Sequence, residues 1–246
     1  MAEIFKVIFY QPLFNLLVYF YNLVPGNDIG VAIIVLTVII KLILYPLSIK
    51  SLKSQKALQD LQPKIEALKV KYKNQQEKLT TEMMALYKKE KVNPFSSCLP
   101  LLIQFPFLIA VYQVFRAGLS NGSFDQLYPF ITNPGQINPV AFGFVDLSSP
   151  QILLAILAGA AQFWQSKMLI AKKPEVVSSG SKDENMMATM NRQMTFMMPI
   201  MTIIIGFSLP GGLVLYWFIM TLLTILQQQL ILKRQKNQSP SISQIN

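Results

Sequence analysis

Long apolar runs alternate along this chain with stretches rich in lysine and glutamine, and the run lengths set the first expectations. A helix needs about 20 residues to cross a bilayer. Stretches 29–49, 97–117, 150–170, 194–210 and 212–232 are read as spans on that ground; 194–210 is the weakest, being short and containing Pro199. The first 24 residues are apolar too, but Gln11, Pro12 and Asn15 interrupt them, and Phe5, Phe9, Phe14, Tyr19 and Tyr21 supply rings suited to a membrane interface. They lack the basic leader and small-residue cleavage site of a signal peptide. The pattern favours an interfacial amphipathic helix within residues 1–28, with a sixth span as the alternative.

Between the first two spans, the pattern changes to amphipathic helix. Leu58, Leu61, Ile65, Leu68 and Tyr72 follow helical spacing, and Leu79, Met83, Leu86 and Tyr87 do so again after a turn at "KNQQ". Pro63 marks the start of the first helix or a bend in it, and Asn93 and Pro94 stop the second. Residues 50–93 therefore read as a helical hairpin with lysine and glutamine outside. A solvated linker accounts for the same periodicity; the functional reading is a docking arm, with Lys64, Lys69, Tyr72, Met83, Met84 and Tyr87 as candidate contacts. The organisation becomes 1–28 interfacial lead-in, 29–49 first span, 50–93 hairpin, 94–232 the remaining four spans and their loops, and 233–246 a basic and polar tail.

Composition agrees: 52% of residues are hydrophobic and 14% charged, with a mean hydropathy of +0.40, values of a membrane protein. Charge then gives orientation. Residues 50–93 carry eleven lysines against five acids, and Lys172, Lys173, Lys182, Arg192, Lys233, Arg234 and Lys236 follow in later loops and the tail. Residues 118–149 contain Asp125 and Asp146 and no lysine or arginine. The positive-inside rule places the hairpin, the second basic loop and the C-terminus in the cytoplasm, and five spans put the N-terminal segment outside. The net charge of +10 is explained by this asymmetry and by anionic lipid, with no direct nucleic acid ligand.

Candidate chemistry is narrow. There is no histidine, and Cys98 is the sole cysteine, which excludes a histidine triad, a His or Cys zinc site and an internal disulfide. No Gly-rich phosphate loop appears, and acidic residues lie almost entirely outside the spans, so neither an ATP-driven pump nor a carboxylate proton relay is expected. Cys98 reads as a small buried filler. No catalytic residue, cofactor or metal is expected.

One residue departs from the hydrophobic pattern. In "IIVLTVIIKLILYPL", residues 33–47, Lys41 is the single charge. Counted from Ile29 it lies about 18 Å along a helix rising 1.5 Å per residue, with about nine residues still to Lys50. Its stem could snorkel part of that way. The other spans also contribute polar groups: Gln104, Tyr112, Gln113, Gln162, Trp164, Thr195, Thr202, Thr221, Thr224 and Gln227 to Gln229, including Gln228. Such groups could line a wet indentation with Lys41 facing the bundle interior, accompanied by water or by a polar segment of a client. Pro106 and Pro199 should disturb their helices, while "SLPGGLVLYW" is a tight turn joining the last two spans. Methionines 186, 187, 190, 194, 197, 198 and 201 crowd the fourth span; core packing explains most, and a soft surface would also suit a variable apolar client.

Four segments, in this order, carry a resemblance: "YQPLFNLLVYFYN", "IIKLILYPLSIKSLKSQKALQDLQPKIEALKVKY", "VNPFSSCLPLLIQFPFLIAVYQVFR" and "FSLPGGLVLYW". Over residues 7–232 the chain resembles the YidC-type membrane protein insertases, in a short, core-only bacterial form. The resemblance implies an all-α integral membrane protein of the bacterial inner membrane, with five transmembrane helices around a hydrophilic groove open to cytoplasm and lipid. Members often carry an arginine in that groove; Lys41 occupies the matching position, keeping the charge without the planar fork. A client's polar segment would meet Lys41 while its apolar segment leaves past Phe105, Phe107, Met197 and Met201. Implied partners are newly made membrane proteins, with the ribosome and the Sec translocon as further candidates, and the chain would work as a monomer. A small-solute transporter and a non-catalytic assembly scaffold are the competing classes.

Overall fold

The computed structural model describes residues 2–72, 75–93, 99–120, 124–168 and 196–238. Expectations concerning Cys98, Thr195, the basic loop 171–193 and the last eight residues lie outside the described residues.

The N-terminal segment is one nearly unbroken helical rod. α1 (Ala2–Phe5) passes through a wider π-type turn (Lys6–Tyr10) into α2 (Gln11–Leu23). Pro12 has no N–H to offer the carbonyl of Ile8, and the ladder widens just upstream of it. Tyr10, Leu13, Phe14, Leu17, Val18 and Tyr21 form an i, i+3, i+4 stripe that is buried against the bundle. Ile4, Val7, Ile8, Tyr19 and Leu23 are exposed.

Asp28 starts α3 (Ile29–Ile43), its carboxylate accepting from the Val31 N–H at 3.0 Å. Ile29, Ile33, Leu36 and Ile40 form the buried stripe. The straight segment ends earlier than residue 49. At Leu44 the chain bends by 68° into α4 (Tyr45–Lys71). Pro46 is the physical cause, because its ring lacks the donor that would continue the ladder to Leu42 and suits the first turn of a new helix. Nor does Pro63 begin a helix: α4 continues through it for 27 residues. Leu61 and Ile65, on either side of Pro63, are both buried, so packing holds the helix across the missing bond. After the turn comes α5 (Gln76–Lys89), and Lys64 bridges Glu90 at 2.5 Å to close the pair.

α6 (Leu99–Ser120) runs through Pro106. The connection to α7 (Ile152–Met168) contains β1 (Val140–Ala141) and β2 (Val145–Asp146), antiparallel, with Val140 opposite Asp146 and Ala141 opposite Val145. This ribbon is a departure from a wholly helical reading. Its tip is built by Phe142 and Gly143 in left-handed conformation, φ +53° and +80°. α8 (Phe196–Gly206) and α9 (Gly211–Gln238) complete the chain.

The protein is predominantly helical. Glu3–Leu23 and Gly211–Ile231 are each long and apolar enough to cross a membrane, and α3 with α4 adds a third candidate if the bent pair is one span. The main core joins α2, α3, α6 and α9, sealed at one end by Phe124, Ile131, Ile137, Ala141 and Leu147 of the α6–α7 connection. α7 packs on α8 and α9 through small residues. A Cβ added at Gly206 would lie 2.8 Å from the Ala155 Cβ, so these backbones approach more closely than larger side chains permit.

Candidate functional site

The bend at Leu44 places the end of α3, the start of α4 and the middle of α9 around one charge. Lys41 Nζ donates to Thr224 Oγ1 at 2.8 Å and to Ser48 Oγ at 3.4 Å. Ser48 donates onward to Gln227 Oε1 at 2.7 Å, while Thr224 donates to the Met220 carbonyl at 2.7 Å. Each hydroxyl proton is thus committed elsewhere, leaving oxygen lone pairs to face the ammonium. The partners are neutral; among the described residues no carboxylate pairs with Lys41.

Polar groups next to this network are buried without partners. Ser51 Oγ, Gln227 Nε2 and both amide atoms of Gln228 make no hydrogen bond among the described residues. An orphaned buried polar atom costs about 1–3 kcal/mol. Three such side chains beside a hydrogen-bonded lysine make a region that water or a polar chain segment would satisfy.

The remaining sequence candidates fall into separate pairs. Gln104 donates to the Tyr216 hydroxyl at 2.6 Å, linking α6 to α9. Thr202 donates to Gln162 Oε1, linking α8 to α7, and also approaches the Met198 carbonyl at 3.1 Å. Tyr112 packs against the main core and Gln113 is exposed. Phe105, Met197 and Met201 are exposed. Phe107 instead sets its ring perpendicular to that of Phe9, with centres 5.4 Å apart, joining α6 to the N-terminal rod.

In the hairpin, Lys64 is engaged with Glu90, whose carboxyl is held below its ordinary value by that hydrogen bond and charge. Burial lowers the Lys69 ammonium against the opposing pull of Glu66, and burial raises the Tyr87 phenol. Lys71 lies over the ring of Tyr72, 5.1 Å from its centre. Met83 is half-buried. Met84 and Tyr87 line a surface hollow of about 280 Å³ with Lys88, Lys91, Val92 and Asn93.

Sequence reasoning missed Ser48 and Ser51. The available signal was spacing: Ser48 lies seven residues after Lys41, two helical turns, and Ser51 continues the same face of α4. What hid it was the unrecognised bend at Pro46.

The 60Kd inner membrane protein family matches residues 19–238. The chain is 40% identical over 218 residues to "Membrane protein insertase YidC" of Clostridium tetani, covering 87% of each chain. It is 34% identical over 208 residues to the protein of the same name from Fusobacterium nucleatum, covering 85% of this chain and 88% of that one. "Membrane protein insertase MisCA" of Bacillus subtilis is 36% identical over 226 residues, 89% of this chain and 76% of its own. With a bundle of apolar helices around a half-buried lysine, and relatives matched over most of their length, the chain belongs to the 60Kd inner membrane protein family, that of the YidC insertases.

Proposed function

We propose that this protein inserts client membrane proteins into the bacterial inner membrane by receiving their polar segments at Lys41. The observation that carries the reading is the arrangement at the bend: a half-buried ammonium held by Thr224 and Ser48, beside the unpartnered Nε2 of Gln227 and the unpartnered amide of Gln228. A polar client segment finds there a positive charge and free hydrogen-bonding groups inside an otherwise apolar bundle, which lowers the cost of bringing polar atoms into the membrane. The client's apolar segment leaves past Phe105, Met197 and Met201 into lipid. Hydrophobic transfer supplies the drive, and no covalent bond is made or broken.

The same reading gives five crossings, α3 and α6 to α9, with the α6–α7 connection outside and the hairpin in the cytoplasm. The lysine-rich composition of 50–93 and the absence of basic residues from 118–149 support it. The N-terminal rod lies at the outer interface with its stripe against the bundle. The hairpin receives the client, and its hollow at Tyr87, Lys88 and Lys91 suits an acidic, partly apolar segment of a nascent chain, ribosome or translocon. Anionic lipid holds the basic face, and the protein acts as a monomer.

The test is insertion into proteoliposomes of paired clients differing in acidic residues of the translocated tail, with wild type and Lys41→Leu. Selective loss of the acidic-tailed client is expected. Equal insertion of both by the variant would remove Lys41 from the mechanism.

A further inference from the structure

We propose that the α6–α7 connection carries a rigid aromatic anchor, Phe144 with Phe130, that seats in the lipid headgroup region of the leaflet on its side of the membrane. Phe144 is 81% and Phe130 79% exposed, the highest values among the exposed large hydrophobic residues described. Rings so exposed on a flexible loop would be unremarked, but this loop is tightly held. The ribbon that ends in Phe142, Gly143 and Phe144 is pinned at its root to the start of α3. The Asp28 carboxylate that caps α3 also accepts from the Phe142 N–H. Beneath the ribbon, Gly30 permits close contact: a Cβ there would lie 2.6 Å from the Ala141 Cβ and 2.8 Å from the Phe142 ring.

The left-handed φ of Phe142 is unfavourable for a bulky residue and persists because the surroundings fix it. It turns the chain so that Ala141 and Leu147 are buried and Phe144 is not. On the far side of the connection, Phe130 stacks on Tyr128 at 5.5 Å within a turn closed by the Ile131 N–H on the Tyr128 carbonyl. That turn is tied to α2 through Asn15, which accepts from the Tyr128 N–H at 2.6 Å, and through Asn22, which donates to the Thr132 carbonyl at 2.7 Å. Both rings are therefore presented in fixed positions, and seating them in lipid orders nothing that is not already ordered.

Two observations select lipid as the occupant. No lysine or arginine lies between Arg116 and Lys167, so the connection offers no cationic patch to an acidic partner. Continuity is the second: eight residues after Phe144 the chain enters α7 at Ile152 and Leu153, which are 65% and 69% exposed and begin a helix face, continued by Ile156 and Leu157, that is exposed among the described residues. In a multi-pass membrane protein that face meets lipid, so the connection lies at the depth where aromatic rings prefer to sit. This anchor is independent of the insertion chemistry at Lys41.

The experiment uses the full-length protein in phosphatidylcholine vesicles. With Trp164→Phe and Trp217→Phe as background, Phe144→Trp and Phe130→Trp each place one indole on the connection. A blue-shifted emission, largely lost to lipids brominated near the headgroup and little affected by aqueous iodide, is expected. A red-shifted emission quenched by iodide and not by brominated lipid would overturn the proposal, as would an emission quenched by neither, which would mean protein covers the ring. If the tryptophan replacements disturb folding, Cys98→Ser with Phe144→Cys and a nitroxide label serves instead. Collision with oxygen should then exceed collision with a water-soluble nickel complex, and the reverse order would overturn the proposal.

Discussion

Lys41 and Thr224, 183 positions apart in the chain, meet through a 2.8 Å hydrogen bond in which the ammonium donates to a hydroxyl already committed to the Met220 carbonyl. Thr224 is thus an oriented acceptor, and its loss leaves a half-buried charge without its shorter hydrogen bond. Thr224→Val, of nearly equal shape, should lower stability by about 1–3 kcal/mol, while Thr224→Ser should retain most of it. Denaturant unfolding in detergent micelles measures both; equal midpoints for the Val and Ser variants would show that the contact contributes nothing.

At Lys41 itself, charge matters more than shape in the proposed mechanism. Losing about 1.4 kcal/mol of attraction, within reach of one screened charge pair, slows a step about tenfold. Lys41→Leu should slow insertion of acidic-tailed clients by about that factor, and Lys41→Arg should restore the rate. A slow Arg variant would indicate that the compact ammonium geometry at Thr224 and Ser48, rather than the charge, is required.

The hairpin should loosen in acid. Lys64 holds the Glu90 carboxyl below its ordinary range, so the folded state binds its proton less readily than the unfolded chain does. The stabilisation is present above the unfolded value, about 4.3 for glutamate, and is lost as pH falls through the lower folded value. Spin labels at Ala67 and Glu82, in the Cys98→Ser background, should report a broadened distance distribution below about pH 4. Glu90→Gln should show the broader distribution at neutral pH and little further change on acidification.

The α7–α8 contact depends on the missing side chains at its crossing. Gly206→Val would drive a branched side chain into Ala155 and should cost about 1–3 kcal/mol of overpacking. Ala155→Gly in the same chain should recover part of the loss. Thermal unfolding of the single and double variants reads the coupling, and purely additive losses would place the strain elsewhere.

Asn15 tests the tether between α2 and the α6–α7 connection. It is buried and donates to the Gln126 carbonyl at 2.9 Å while accepting from the Tyr128 N–H. Asn15→Leu orphans the Tyr128 N–H, at a cost of about 1–3 kcal/mol, and leaves the Gln126 carbonyl only the longer 3.4 Å bond from Gln11 Nε2. Hydrogen exchange at Tyr128 should accelerate strongly, with α9 amides little changed; unaltered protection would show that the tether is dispensable.

Asn15 also illustrates where one-dimensional reading stopped. In the sequence it is a polar interruption of an apolar run, which suits a helix lying on a bilayer. Its partners, more than 110 residues later, turn the same polarity into an internal tie. Phe107 is parallel: a ring in an apolar stretch resembles an exit surface until Phe9 is found packed perpendicular to it at 5.4 Å. Lys41 was the opposite case, because a lone charge among aliphatic residues demands a polar environment wherever it lies.

The sequence by itself determined the helical segments, their apolar faces, the lysine-rich hairpin and the exceptional status of Lys41. Those follow from local periodicity, from run length and from the cost of an unpaired charge, all readable within a few turns of chain. Only the tertiary structure decided that the first apolar segment ends at Ile43, that Ser48 and Thr224 receive the ammonium, and that Asp28 pins the ribbon carrying Phe144. These contacts depend on bend angles and on residues far apart in the chain. A shift of one helical turn leaves every local pattern intact and separates every one of those partners, so their geometry exists only once the helices have packed.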